Sequence, residues 1–247
     1  MAISSPLGSR QTVAALLTLT AVTGLVDAVS YLRLGHVFVA NMTGNVVFLG
    51  FSVDPRAGLS AAASIIAIAG FLLGALAGGR AAHALAAAAP ARWLASVFTG
   101  EALILAVAAV LTGTGVLPVA GTDVAGGGRY ATIAVLAVAL GVQNSTVRHL
   151  GAPDLTTTVL TLTLTGLTAD SALAGGPGAR PHRRLGSVAA MLGGAVAGAG
   201  ILQWWSPAVA VAVAALLVAA VAGAFLTTVP ATTRKPLHRA PRPALQA

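Results

Sequence analysis

The chain has 247 residues, 57% of them apolar and only 8% charged, with a mean hydropathy of +0.89. Soluble domains carry about 25% charged residues, so this composition excludes an ordinary soluble fold and indicates an integral membrane protein. There is no cysteine, which removes disulfides, thiolate metal sites and cysteine catalysis together.

Crossing a bilayer takes about 20 apolar residues at 1.5 Å each. The first such run is 12–32. Only Arg10 precedes it as a charge and Asp27 lies inside it, which suits a retained helix better than a signal peptide. The next run, 37–51, is apolar at both ends but holds Asn41, Thr43, Gly44 and Asn45 in its middle. Fifteen helical residues rise about 22 Å, short of a hydrocarbon core of roughly 30 Å. Full-length runs follow at 57–79, 93–117 and 130–147, with Glu101 in the second of these. A second interrupted run, 155–171, carries Thr157, Thr161 and Thr165 at a spacing of four, one hydroxylated helical face, and Gly166 beside them. The last full runs are 185–204 and 207–229.

The expected fold is therefore all-α: a polytopic helix bundle of about six full crossings plus two interrupted or re-entrant segments, eight helical segments in all. Its parts are an N-terminal tail 1–11, membrane repeat A 12–118, a connecting loop 119–128, membrane repeat B 129–229, and a disordered basic tail 230–247. The repeats rest on four features in the same order. Gly24 matches Gly141, Asp27 matches Asn144, and Thr43-Gly44 matches Thr165-Gly166. Gly70, Gly74 and Gly78 match Ala190, Gly194 and Gly198. Small residues every four positions let helices touch closely.

A pI near 11.7 suggests nucleic acid at first sight. The basic residues, however, fall in loops and the tail, as membrane topology requires. Six crossings place Arg10, Arg80, Arg92, Arg148, Arg180, Arg183, Arg184 and the four basic residues of the tail on the cytoplasmic side. Eight crossings would move Arg80, Arg92 and Arg148 out and bring Arg56 and Arg129 in. Both leave the two termini cytoplasmic in a bacterial inner membrane, and the polar middles of the short segments favour six plus two. Nucleic acid is not an expected partner. The bilayer is, and the basic tail suits anionic lipid. Self-association stays open.

An ionisable group inside a span costs about 2.5–3.5 kcal/mol, so it usually lines a cavity or meets a partner. Asp27 is either an interfacial carboxylate paired with Arg33 or a buried group that takes up a proton or faces a solute. Glu101 more often marks a helix contact, and Asp170 an interface. The Thr-Gly segments are either kinks satisfied locally or two discontinuous elements facing each other across a pseudo-two-fold axis, where transporters bind substrate. In the second case Asp27, Asn41, Thr43, Gly44, Asn45, Gln143, Asn144, Thr161, Thr165 and Gly166 line a pathway for a small polar solute. No nucleophile motif, metal-ligand spacing or phosphate loop is present, so neither catalysis, metal nor cofactor is expected.

The stretches GLVDAVSYLRLGHVFVANMTGNVVFLG, GVQNSTVRHLG and DLTTTVLTLTLTGLTADS resemble the YoaK family, bacterial membrane proteins assigned as a domain of unknown function. The resemblance covers roughly 12–229. It implies a polytopic inner-membrane protein of six or so helices, and brings no substrate or residue role with it. A secondary transporter leads among the functions, with a non-transporting scaffold or lipid-binding protein as the alternative.

Overall fold

The structure, a computed structural model, describes residues 5–86, 88–115, 127–150, 160–171, 174–176 and 181–229. Most of the loop 119–128, residues 155–159 with Thr157, and the tail 230–247 lie outside the described residues. Among these residues there are eight α-helices and no strand. They are α1 (Ser9–Arg33), α2 (Met42–Phe51), α3 (Ala61–Ala81), α4 (Pro90–Gly113), α5 (Gly127–His149), α6 (Leu160–Ala169), α7 (Pro181–Trp204) and α8 (Pro207–Leu226).

Six of them, all but α2 and α6, are long and apolar enough to cross a membrane. The two short ones have 10 residues each, a rise of about 15 Å, half of a hydrocarbon core. Their start points follow from local chemistry. Ser60 caps α3 by accepting from the Ala63 N–H at 3.2 Å. Proline opens α4, α7 and α8 at the first turn, where its missing N–H leaves no bond unmade.

The surface inverts that of a soluble protein. Leu72, Leu73 and Leu76 of α3 and Leu192 and Val196 of α7 are 54–63% exposed. The interior holds Leu, Val, Trp93, Phe98 and Phe225, with glycine and alanine where helices touch most closely. Such an apolar girdle belongs against lipid, where helices gain nothing from hydrophobic burial and hold together by close packing.

That packing is concentrated in two parallel seams and one central pair. In the first seam α1 lies along α7, and in the second α3 lies along α5. The central pair is α4 with α8. The seams are so tight that a Cβ on Gly24 would overlap the Met191 carbonyl, and one on Gly194 the Ala21 carbonyl. In the other seam a Cβ on Gly141 would overlap the Phe71 carbonyl, and one on Gly74 the Val138 carbonyl.

The two seams run in opposite directions. The Arg33 guanidinium donates to the Leu202 carbonyl at 2.9 Å, so α1 and α7 end together. At that same end Arg129 packs over Gly35, and the Tyr130 hydroxyl lies 3.5 Å from Ser60 Oγ. These contacts bring the starts of α3 and α5 to the end where α1 and α7 finish. Hence α1, α4 and α7 run one way and α3, α5 and α8 the other, which returns the described chain to the face it started from.

Candidate functional site

The site is built where α1 stops. Gly35 has φ +93° and His36 φ +56°, two left-handed residues in succession. Glycine adopts this freely and histidine rarely, so the pair marks an enforced reversal. Residues 37–40 then double back along α1, with Val37, Val39 and Ala40 buried.

Backbone at this depth must find partners inside the protein. The amides of Val39 and Ala40 both donate to Asp27 Oδ1, each at 2.9 Å. Asp27 is six residues before the end of α1, about 9 Å down the helix. The carboxylate therefore sits at the N-terminus of α2, where the helix dipole favours a negative charge. Asn41 caps α2, its Oδ1 accepting from the Gly44 N–H at 3.4 Å. Asn45 is fully buried and binds the backbone of Phe38 twice, accepting its N–H at 2.9 Å and donating to its carbonyl at 2.6 Å. Gly44 leaves room for the Phe38 ring, which would lie 2.7 Å from a Cβ there. That ring stacks on Tyr31 at 5.1 Å and on Phe48 at 5.5 Å between centroids, and the three rings form one cluster, Tyr31 and Phe48 lying 6.0 Å apart.

A cavity of about 310 Å³ opens beside this fold-back, between α1 and α7. Asp27, Tyr31, Phe38 and Asn41 line it together with Met191 and Ala195. Asp27 is 4% exposed, and its second oxygen, Oδ2, has no hydrogen-bond partner among the described residues. Arg33 is turned to Leu202, so the Asp27–Arg33 ion pair weighed from the sequence does not form.

The remaining sequence-selected residues fall elsewhere, and the expected single site shared by both interrupted segments divides. Thr43 is exposed. Gln143 is buried at the middle of the bundle, its Nε2 donating to Thr23 Oγ1 of α1 at 3.0 Å. Asn144 is half-buried on α5. The short helices do not pack on one another: α2 lies on α3, and α6 lies on α7. On α6, Thr161 and Thr165 are exposed and Thr163 is the buried hydroxyl. Gly166 makes way for Arg184, whose Nη1 binds Asp170 Oδ2 at 2.8 Å. The four-residue threonine spacing describes a real helical face, but its orientation depends on a neighbour the sequence does not name.

Three features escaped the sequence reading. The backbone amides of Val39 and Ala40 carry no residue signature at all. Tyr31 and Phe38 were detectable as aromatics flanking Asp27. Glu101, taken as a helix contact, is 2% exposed with neither carboxyl oxygen hydrogen-bonded among the described residues.

The family described as "Protein of unknown function (DUF1275)" matches residues 15–224. The UPF0700 transmembrane protein YoaK of Bacillus subtilis (strain 168) is 36% identical over 166 residues, covering 65% of this chain and 67% of that protein. No solved structure matches. With six apolar helices of spanning length and a family match over most of its length, the chain is a multi-pass membrane protein and belongs to the YoaK family.

Proposed function

We propose that the chain is a secondary transporter for a small solute, with Asp27 as its proton- or cation-responsive group. The observation that carries this reading is a buried carboxylate, half satisfied by the backbone of a fold-back segment, lining a cavity between two helices. An irregular segment at membrane depth is tolerated where it lines such a space. Discontinuous elements of this kind are where secondary transporters hold their substrates.

The chain is further read as two inverted repeats, α1–α4 and α5–α8. What supports this is the equivalence of the seams: Gly24 on Met191 corresponds to Gly141 on Phe71, and Gly194 on Ala21 to Gly74 on Val138. Each repeat has three full crossings, so the second lies upside down relative to the first. The helices regroup across the repeats, α1 with α6 and α7, α3 with α2 and α5, and α4–α8 lies between the groups. Alternating access is a rocking of one group against the other about this central pair. Asp27 belongs to the first group, while the amides it holds lead into α2 of the second. Whatever binds the carboxylate thus acts on the link between the groups.

In this reading the end with Arg80, Arg92 and Arg148 faces the cytoplasm of a bacterial cell, with both termini there and the basic tail at an anionic leaflet; the distribution of basic residues supports it. The chain carries no enzymatic chemistry in this reading. A non-transporting scaffold is the second reading, favoured by the local satisfaction of Asn41 and Asn45. The deciding experiment reconstitutes the chain in proteoliposomes and screens small solutes for uptake and for solute-driven proton movement. The charged group next along α1 is Arg33, itself committed to Leu202, and His36 packs on the Tyr31 ring at 5.2 Å, so the pH profile of Asp27→Asn is compared with that of His36→Gln. Flux that Asp27→Asn leaves unchanged in rate and pH profile removes the carboxylate from the mechanism. No flux of any solute leaves the scaffold.

A further inference from the structure

The charge of the ligand is open on sequence grounds, because a half-helix N-terminus attracts anions while a buried carboxylate attracts cations. The geometry decides between them. The two amides that lead into α2 are already held by an internal anion: Asp27 Oδ1 takes the Val39 and Ala40 N–H groups at 2.9 Å each. Asn41 Oδ1 takes the Gly44 amide. An incoming anion would meet a carboxylate in a buried wall and find these donors engaged. The other oxygen of the same carboxylate, Oδ2, is buried behind the cavity wall and no described residue satisfies it, so a guest reaches it as that wall yields.

We infer that the cavity beside Asp27 binds a small organic cation, an ammonium group carried on an apolar body. This rests on the transporter reading only for its consequence, since binding is a property of the cavity itself. An ammonium against Oδ2 would complete the hydrogen bonding of a buried carboxylate and neutralise its charge. The rest of the wall is apolar and aromatic: Ala28, Leu32, Phe38, Ala195 and Ala199, with Tyr31 one turn beyond Asp27 on α1. Aromatic faces near a buried cation add to its binding.

A bare divalent cation fits poorly. Calcium takes six to eight oxygen ligands and magnesium a near-ideal octahedron. The side-chain oxygens on this wall come from Asp27, Asn41 and Tyr31 alone, and Asn41 Oδ1 already accepts from Gly44. The volume of about 310 Å³ lies at the lower end of the range for ligand pockets, about 300–1,000 Å³, which limits the guest to a small molecule.

The test uses the full chain in lipid nanodiscs with three probes of nearly equal shape: benzylammonium, benzyl alcohol and benzoate. Equilibrium binding of radiolabelled benzylammonium, corrected with empty nanodiscs, should saturate at one per chain. Tenfold excess of benzyl alcohol or benzoate should leave it in place. Asp27→Asn should weaken it at least tenfold. Ala199→Leu, which fills the cavity without touching the Asp27–amide bonds, should weaken it as well, and Asp170→Asn should not change it. Absence of saturable benzylammonium binding overturns the inference, as does equal displacement by benzoate. Both are read on the native chain and need no variant to fold. Native-like binding by Asp27→Asn overturns it too. Cation binding with this pattern but no flux in proteoliposomes supports the site and removes the transport reading. Flux of a neutral or anionic solute without cation binding overturns the site and keeps transport.

Discussion

The α1–α7 and α3–α5 seams are near copies in packing and differ in chemistry. Both run parallel, and both close on glycines that meet a backbone carbonyl of the facing helix. Where the first seam carries Asp27, however, the corresponding position on α5 is Asn144. The glycine contacts of the two seams are alike, and the charge beside them is not.

The largest expected effect treats the seams as equals. Gly74→Leu and Gly194→Leu should each destabilise the detergent-solubilised protein by about 3 kcal/mol or more, since overpacking against backbone leaves no side chain to yield. Thermal unfolding of the two variants should fall by similar amounts. A large loss from one and none from the other would break the equivalence. The next effect separates the seams. Asp27→Ala orphans two buried amides and should cost about 1–3 kcal/mol, whereas Asn144→Asp should create a second ionisable site. Titrating benzylammonium against the Asn144→Asp chain should reveal any second binding event. A third measurement sharpens the reading of the fold-back. Asn45→Ala removes both bonds to the Phe38 backbone and should cost about 1–3 kcal/mol in unfolding, with binding at Asp27 weakened through a loosened segment. The smallest effect belongs to the Asp170–Arg184 pair, whose Asp170 side chain is 45% exposed. Asp170→Asn should change stability by about 0–1 kcal/mol, and by less in high salt.

Much of the fold is legible in the sequence because a bilayer imposes a length and an apolarity on each crossing. The six spanning helices and the two short ones follow from that constraint. Close helix contacts are legible too, since Gly70-Gly74-Gly78 and Ala190-Gly194-Gly198 can only be small for the sake of a neighbour. The site is half legible. Asp27 stands out because a carboxylate inside an apolar run is costly, and Asn41 because it interrupts another. Their meeting is not legible, because it is made through the amides of Val39 and Ala40, and any residue could supply those. The same blindness explains Thr161 and Thr165. A stripe fixes which residues share a face, but only the packing of α6 on α7 decides which way the stripe looks.

The pairing of α1 with α7 also sets an order of events during synthesis. Between Arg33 and Pro181 lies most of the chain, so α1 enters the bilayer long before its partner exists. At about 5–20 residues per second, that wait is of the order of ten seconds. The α3–α5 seam closes much earlier. Throughout the interval Asp27 lies in a helix with no α7 beside it, and the amides of Val39 and Ala40, only a dozen residues away, are the partners within immediate reach. The bonds that shape the cavity wall are local in sequence, made between Asp27 and amides 12 and 13 residues on, whereas the α1–α7 seam that completes the cavity must wait for the last third of the chain.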